Sequence, residues 1–159
     1  MMTKILSIVA GLTTASLPAQ CLFQSVTTQS IGPSCNFGST GFCAIVSMPS
    51  TLTTTLDTVN CKLIVQVNQF EGCGASVPLR LLVLGTQPVS VSLPEFGPGC
   101  TLHVAPMILL AATTGPFSLD LPPGVPALAF FEQGAALSHF PFTTPDVLTF
   151  TDGLAVSLQ

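Results

Sequence analysis

The sequence contains no tryptophan and no tyrosine, and only 6% of its 159 residues are charged. A typical globular chain carries about 25% charged residues. The three lysines and arginines (Lys4, Lys62 and Arg80) are scattered along the chain. Because phosphate recognition and binding to anionic lipid both require clustered positive charge, this composition argues against a nucleic-acid partner and against a basic membrane-binding patch.

Long apolar runs and chemical motifs are also missing. No apolar run reaches the roughly 18 residues of a membrane helix, so we expect no stable membrane span. The sequence has no G-x-S-x-G, no phosphate-binding loop and no G-x-G-x-x-G. It also lacks C-x-x-C, and its two histidines are single and far apart. The sequence therefore predicts no catalytic residue, no metal site and no cofactor.

The first 19 residues have the pattern of a secretory signal peptide. Lys4 provides a short positive region, residues 5–17 are apolar, and Ala19 offers a small residue at a cleavage site before Gln20. A buried N-terminal helix or strand is the alternative. Export predicts a secreted protein that is extracellular or at the cell surface, with the periplasm as an alternative compartment.

Six cysteines follow this segment, at Cys21, Cys35, Cys43, Cys61, Cys73 and Cys100. An even number behind a signal peptide predicts three disulfides formed in an oxidising compartment. Cys61 and Cys73 would stand about 20 Å apart if a strand separates them, whereas a disulfide needs Cα atoms within about 7 Å. Cys35 and Cys43 flank a glycine-rich loop that a disulfide between them would close. The other pairings stay open.

The remaining residues show the two-residue alternation of strands. Residues 79–93 (LRLLVLGTQPVSVSL) predict a buried central strand, a turn at Gly85-Thr86-Gln87-Pro88, and a strand with Val89, Val91 and Leu93 on one dry face. Further strands are predicted at residues 43–48, 61–70, 101–104, 107–111, 117–121, 128–133, 147–151 and 154–158, the last two being joined by an Asp152-Gly153 hairpin turn. Residues 50–60 fit an edge strand or a solvated loop equally well.

About nine short strands without a convincing helix predict an antiparallel β-sandwich over residues 43–159. Both a jelly-roll and an immunoglobulin-like topology remain open. Residues 20–42 are predicted to form an irregular N-terminal segment, held by Cys21 and Cys35 rather than by a core of its own.

Few side chains in the sequence are candidates for a catalytic, metal-binding or ligand-binding site. His103 lies in an apolar strand, where a half-buried residue with one hydrogen bond is favoured over a general base or a metal ligand. His139 with Phe140 and Phe142 forms a candidate binding loop for a partner or a sugar ring, and an ordinary loop is the alternative. The Phe130-Phe131 pair would suit the same ligands, although core is preferred for Phe130.

The acidic residues show no spacing that sets a catalytic pair. The candidates are Glu71, Glu95, Asp120 and Glu132, and solvated surface is the favoured interpretation. Asp146 and Asp152 flank a predicted strand and would offer oxygens to calcium, but no D-x-D-x-D-G loop accompanies them.

Several runs together resemble a known module. They are LRLLVLG (79–85), GPGCTLHVAP (97–106), GPFSLDLP (115–122), ALAFFEQG (127–134) and TDGLAVSLQ (151–159). The second half of the chain thereby resembles secreted β-sandwich modules of Planctomycetota and similar environmental bacteria. The resemblance implies fold and export, and it brings no assigned activity and no site residues. Cys21, Cys43, Cys61 and Cys73 depart from the sparser cysteine usage of that family.

Three functions follow as hypotheses. The first is a secreted, non-catalytic β-sandwich for surface attachment, envelope structure or ligand binding, with a glycan or a cell-surface protein as partner. The second is a self-assembling extracellular structural subunit that pairs through low-charge sheet edges. The third is a small secreted hydrolase, which requires facing carboxylates in a cleft or His103 beside an acid.

Overall fold

The computed structural model describes residues 21–35, 50–69, 76–97, 99–139 and 147–159. These residues form antiparallel strands connected by tight turns, with one 3-10 turn at Pro94–Phe96. The strands are β1 (Val26–Gly32), β2 (Thr51–Asp57), β3 (Lys62–Asn68), β4 (Ser76–Gly85), β5 (Pro88–Ser92), β6 (Thr101–Val104), β7 (Ile108–Ala112), β8 (Phe117–Asp120), β9 (Leu128–His139) and β10 (Val147–Leu158). The predicted all-β antiparallel sandwich is confirmed.

The strands form two facing sheets and a separate hairpin. The order in the five-stranded sheet is β1-β10-β9-β4-β7, and the order in the three-stranded sheet is β2-β3-β8. The pair β5-β6 lies on the other side of the five-stranded sheet, where the backbone N–H of His103 donates to the Gln133 side chain at 2.8 Å. The molecule therefore has three layers where this hairpin covers β9 and β10.

The main core lies between the two large sheets. Leu63, Val65 and Val67 alternate along β3 and are 0% exposed, while Lys62 and Gln66 point to the other face. The inward-facing residues of β10 are also buried: Leu154, Val156 and Leu158. Burying one such side chain contributes about 1.5–3 kcal/mol. The alternation thus orients both strands, as predicted, and β10 pairs on both sides, with β1 and with β9.

A second, smaller core lies under the hairpin. It contains Cys35, Cys100, Ala135 and Phe150. The ring of Phe96, from the 3-10 turn, meets the ring of Phe150 edge-on with centroids 5.7 Å apart. Such pairs add about 0.5–1.5 kcal/mol beyond the buried area.

The predicted hairpin turn at Asp152-Gly153 is wrong. β10 continues through both residues, and the register to β9 shifts between Phe150 and Gly153. The shift is a β-bulge, in which extra residues on one strand oppose fewer on the other. The Thr151 hydroxyl oxygen accepts a hydrogen bond from the Gly134 N–H at 2.8 Å, which satisfies a donor that the bulge leaves out of the ladder. In the fold Gly153 is buried and Asp152 is partly buried, so this Asp-Gly pair does not form a solvent-exposed turn.

Two further expectations differ from the structure, and one pair of alternatives is decided by it. The segment expected to be irregular contains β1, whose residues pair with β10 from Val26↔Leu158 to Gly32↔Gly153. Val91, predicted on a dry face, is 48% exposed because β5 pairs with no described strand except β6. Residues 51–57 are an edge strand, which decides between the two alternatives for that stretch. The predicted strand at residues 43–48 lies outside the described residues.

Two disulfides connect the layers. Cys21 bonds Cys61 with Cα atoms 5.0 Å apart, and this bond ties the entry to β1 to the start of β3. Cys35 bonds Cys100 with Cα atoms 4.7 Å apart, and this bond ties the exit of β1 to the start of β6. Cys61 is thus not bonded to Cys73, as predicted, whereas the suggested Cys35–Cys43 closure is wrong. Cys43 and Cys73 lie outside the described residues.

Candidate functional site

A cleft opens on the flank where the two large sheets end. β7 is the last strand of one sheet and β8 is the last strand of the other, and between them lies a volume of about 510 Å³. Pockets of about 300–1,000 Å³ hold small ligands. The position at two sheet edges leaves the cleft open to solvent along one side.

The walls of the cleft are apolar. Both sheets supply them, with Leu63, Leu84, Leu110, Leu119, Leu128 and Phe130 lining the interior. Phe130 and Leu128 occupy alternate positions on β9 and therefore point to the same face. The preference for Phe130 as a core residue is consistent with this position, because its side chain packs against the main core and also forms part of the cleft wall.

Polar atoms are confined to the rim, where Thr86, Ser118 and Asp120 lie. Asp120 faces Lys62 at 3.3 Å, in an ion pair whose carboxylate is largely exposed. Exposed ion pairs contribute little to stability. The predicted surface position of Asp120 is confirmed, and the cleft presents a neutral interior to any ligand.

The strand beside the cleft is unusually apolar for an edge. Met107 is 68% exposed, Ile108 is 52% exposed and Leu109 is 62% exposed. Leu109 pairs with Val83, while Ile108 and Leu110 are the β7 residues among those lining the cleft. Successive strand residues point to opposite faces, so Leu109 faces away from the cleft.

Glu132 is buried between the sheets, so the prediction that it is a solvated surface residue is wrong. Its side chain is 0% exposed, and one carboxylate oxygen accepts a hydrogen bond from the Thr54 hydroxyl of β2. The other oxygen, Oε2, has no hydrogen-bond partner among the described residues. Burial raises the pKa of Glu132 to about 7. The hydrogen bond from Thr54 lowers this pKa, and the charge of Asp152 raises it further.

Asp152 projects from the β10 bulge and is partly buried. Burial raises the pKa of Asp152. Hydrogen bonds that its carboxylate accepts from backbone N–H groups, and the electrostatic interaction with His103, act in the opposite direction and lower this pKa. The two acids therefore lie within electrostatic reach of each other. Neither lines the apolar cleft, so this acid pair is not placed against a ligand bound there.

His103 is a packing residue in this structure. It is 6% exposed, and its Nε2 lies 3.0 Å from the carbonyl oxygen of Pro33. The imidazole rests against Gly32 and Gly153, which face each other in the ladder. The favoured interpretation, a strand residue whose side chain makes one hydrogen bond, agrees with the structure, but the residue is buried rather than half-buried.

The candidate binding loop is only partly described. His139 is the exposed last residue of β9 and pairs with Ser76, whereas Phe140 and Phe142 lie outside the described residues. Glu71 and Asp146 also lie outside them. Phe131 lines a shallow groove of about 440 Å³ on the outer face of the five-stranded sheet, together with Thr27, Gln29 and Ser157. This groove combines an aromatic ring with polar side chains.

Sequence reasoning missed the buried acid and the cleft. The signal for Glu132 was its place in the apolar run AFFEQGAA (129–136), which is long for a strand with a wet face. The cleft had no local signal, because β7 and β8 are on different sheets and meet only in the folded chain.

Comparisons with protein-family models, with curated proteins and with solved structures found no match to this chain. Within the described residues, none of the helices has the length and apolar character needed to cross a membrane. The same residues contain no group of three or more His, Cys, Asp or Glu side chains placed to hold a metal ion.

Proposed function

We propose that this chain is a secreted, non-catalytic binding protein that holds an uncharged apolar ligand in the flank cleft. The observation that carries the proposal is the cleft itself, a volume of about 510 Å³ walled by leucines and Phe130 from two sheets. Its size suits a small molecule or a length of alkyl chain. Apolar contact would supply the binding free energy, at about 25 cal/mol per Å² buried.

A sugar suits this cleft less well. Carbohydrate sites need several hydrogen-bonding groups beside an aromatic face, and here the polar groups lie at the rim. Hydrolysis would need acids facing the bound ligand, and Asp120, the acid at the rim, is held in an ion pair. Surface attachment or envelope structure would then depend on a lipid-like or otherwise apolar partner.

The test uses an uncharged fluorescent apolar probe, N-phenyl-1-naphthylamine, titrated into the full mature chain. We expect saturable binding at one site per chain. Met107→Asp places a charge at the rim on a 68% exposed residue, and it should weaken binding at least tenfold without loss of folding. The matched control is Val59→Asp, because Val59 is 90% exposed on the β2–β3 turn and does not line the cleft. Absence of saturable binding, or equal loss in both variants, would contradict the proposal.

A second function, self-association of copies, is favoured by the β7 edge. Unpaired backbone groups of an edge strand add strands readily, and natural edges are usually protected by charge, proline or a bulge. Ile108–Ala112 has none of these, and residues 96–119 contain no Asp, Glu, Lys or Arg, so two acidic copies can meet there without repulsion. We propose antiparallel pairing of β7 with β7 of a second copy as the contact.

Sedimentation over a range of concentrations tests this contact. The mature chain should show a monomer–dimer equilibrium that Leu109→Lys abolishes, whereas Val59→Lys should leave it intact. Because Leu109 does not line the cleft, Leu109→Lys should also leave probe binding unchanged. A monomer at every concentration would rule the contact out.

A further inference from the structure

The buried acid Glu132 connects the two large sheets. It lies on β9 of the five-stranded sheet, and it accepts a hydrogen bond from the hydroxyl of Thr54 on β2 of the three-stranded sheet. The residue is 0% exposed, and Oε2 has no partner among the described residues. Burial at such a position costs little free energy for a neutral, protonated carboxyl group, but it costs much more for a carboxylate whose second oxygen has no partner.

Among the described residues, no cation is one of the groups that act on Glu132. Arg80 lies further along β4, opposite Ala136, and donates a hydrogen bond to the carbonyl oxygen of Thr113. β4 presents Leu84 opposite Glu132, and β2 presents Thr54, which pairs with Val65 of β3. The charged neighbour that acts on Glu132 is the carboxyl of Asp152 on β10, and its sign is unfavourable. Lys62 of β3 is engaged with Asp120 at the surface, and His103 lies beyond the five-stranded sheet, against Gly153.

We propose that Glu132 is a proton-operated latch between the sheets, closed when its carboxyl is protonated and loosened when the carboxyl ionises beside Asp152. Ionisation places an unpaired charge at the contact of β2 with β9, and water can reach it only if β2 moves away. Among the described strands β2 is an edge strand paired with β3, so it can move without breaking a ladder on a second side. Two neighbours of Glu132, Leu84 and Phe130, line the cleft, so loosening would also alter the cleft wall.

The sign of the pH effect follows from the raised pKa. An acid with a higher pKa in the folded state binds its proton more tightly there, so the stabilisation is complete below the unfolded pKa and is lost as pH rises through the folded value. The pKa of Glu132 rises from 4.5 to about 7. This difference corresponds to a total loss of about 300-fold in the folding equilibrium constant from well below pH 4.5 to well above pH 7, since each pKa unit is tenfold.

The test combines stability with local opening. Chemical unfolding of the mature chain should show stability falling between pH 5 and pH 8, and Glu132→Gln should remove most of that dependence. Glu95→Gln is the control, because Glu95 is an exposed acid on the 3-10 turn. Hydrogen exchange should show β2 amides losing protection above pH 7 in the natural chain and not in Glu132→Gln.

Two outcomes would overturn the latch. One is equal pH dependence in the natural chain and in Glu132→Gln, or a carbon-13 titration that places Glu132 near 4.5. The other is a calcium-dependent recovery of stability at pH 8 that Glu132→Gln abolishes, since that result would make the acid pair a cation site. If Glu132→Gln does not fold, Thr54→Val replaces it: loss of the hydroxyl that stabilises the ionised form should move the Glu132 titration to higher pH.

Discussion

The side chain of Gln133 holds the backbone of His103. Its Oε1 accepts the His103 N–H at 2.8 Å, and its Nε2 donates to the carbonyl oxygens of Thr101 at 3.0 Å and Thr151 at 3.1 Å. Gln133 is 0% exposed, so these bonds have no competition from water. The Gln133 side-chain amide thus connects β6, β9 and the bulge of β10. Its hydrogen bonds take the place of strand-to-strand backbone hydrogen bonds, which the bulge interrupts and which do not form between β6 and the five-stranded sheet.

Gln133→Met should therefore destabilise the chain by about 3 kcal/mol or more. The methionine keeps the volume but leaves one buried N–H and two buried carbonyl groups without this partner, and each costs about 1–3 kcal/mol if nothing replaces it. Denaturant unfolding measures the change. Gln66→Met is the control, because Gln66 lies on the outward face of β3. Similar losses in the two variants would show that the amide contributes no more than an ordinary surface glutamine.

Gly153→Ala should cost about 1–3 kcal/mol, as overpacking of a filled site does. A Cβ at Gly153 would lie 2.5 Å from the Cβ of His103 and 3.0 Å from a side-chain carbon of Ile31. The Cβ of His103 is fixed by its strand and cannot rotate away. Thermal unfolding beside Ser157→Ala, a change on the same face of the same strand, isolates the clash. If the Gly153→Ala chain were as stable as the control, the β5-β6 hairpin would have moved to make room for the methyl group without a loss of stability.

The alternation of apolar and polar residues along a strand can be read from a few consecutive residues of the sequence. β3 and the end of β10 could be predicted for this reason, since Leu63, Val65, Leu154 and Val156 mark the faces directly. The bulge could not, because its Asp152-Gly153 pair favours a turn in isolation, whereas in the fold Gly153 pairs with β1 and β9 and packs against His103. The latch and the cleft likewise depend on residues brought together from both sheets, for which the sequence carries no spacing.

The two disulfides should each stabilise a different contact between layers. Both close long loops, with sequence separations of 40 and 65 residues, and loops of that length correspond to about 4 kcal/mol each in the chain-entropy model. The Cys35→Ser, Cys100→Ser double variant should expose the amides of β5 and β6 to hydrogen exchange. The Cys21→Ser, Cys61→Ser double variant should leave that hairpin protected and instead lower the protection of β1 and β3. Identical exchange patterns in the two variants would contradict a separate role for each bond.

A third disulfide is expected between Cys43 and Cys73, the two cysteines that remain after the described pairs. The segments that contain them join the described structure at Ser50 and Gln69, which hydrogen-bond each other, and Gln69 also accepts a 2.8 Å hydrogen bond from Thr149. Non-reducing peptide mass spectrometry of protein from an oxidising host should find this pair beside the other two, on a chain that starts at Gln20. Free thiols at both positions, or an intact first segment, would contradict the predicted export to an oxidising compartment.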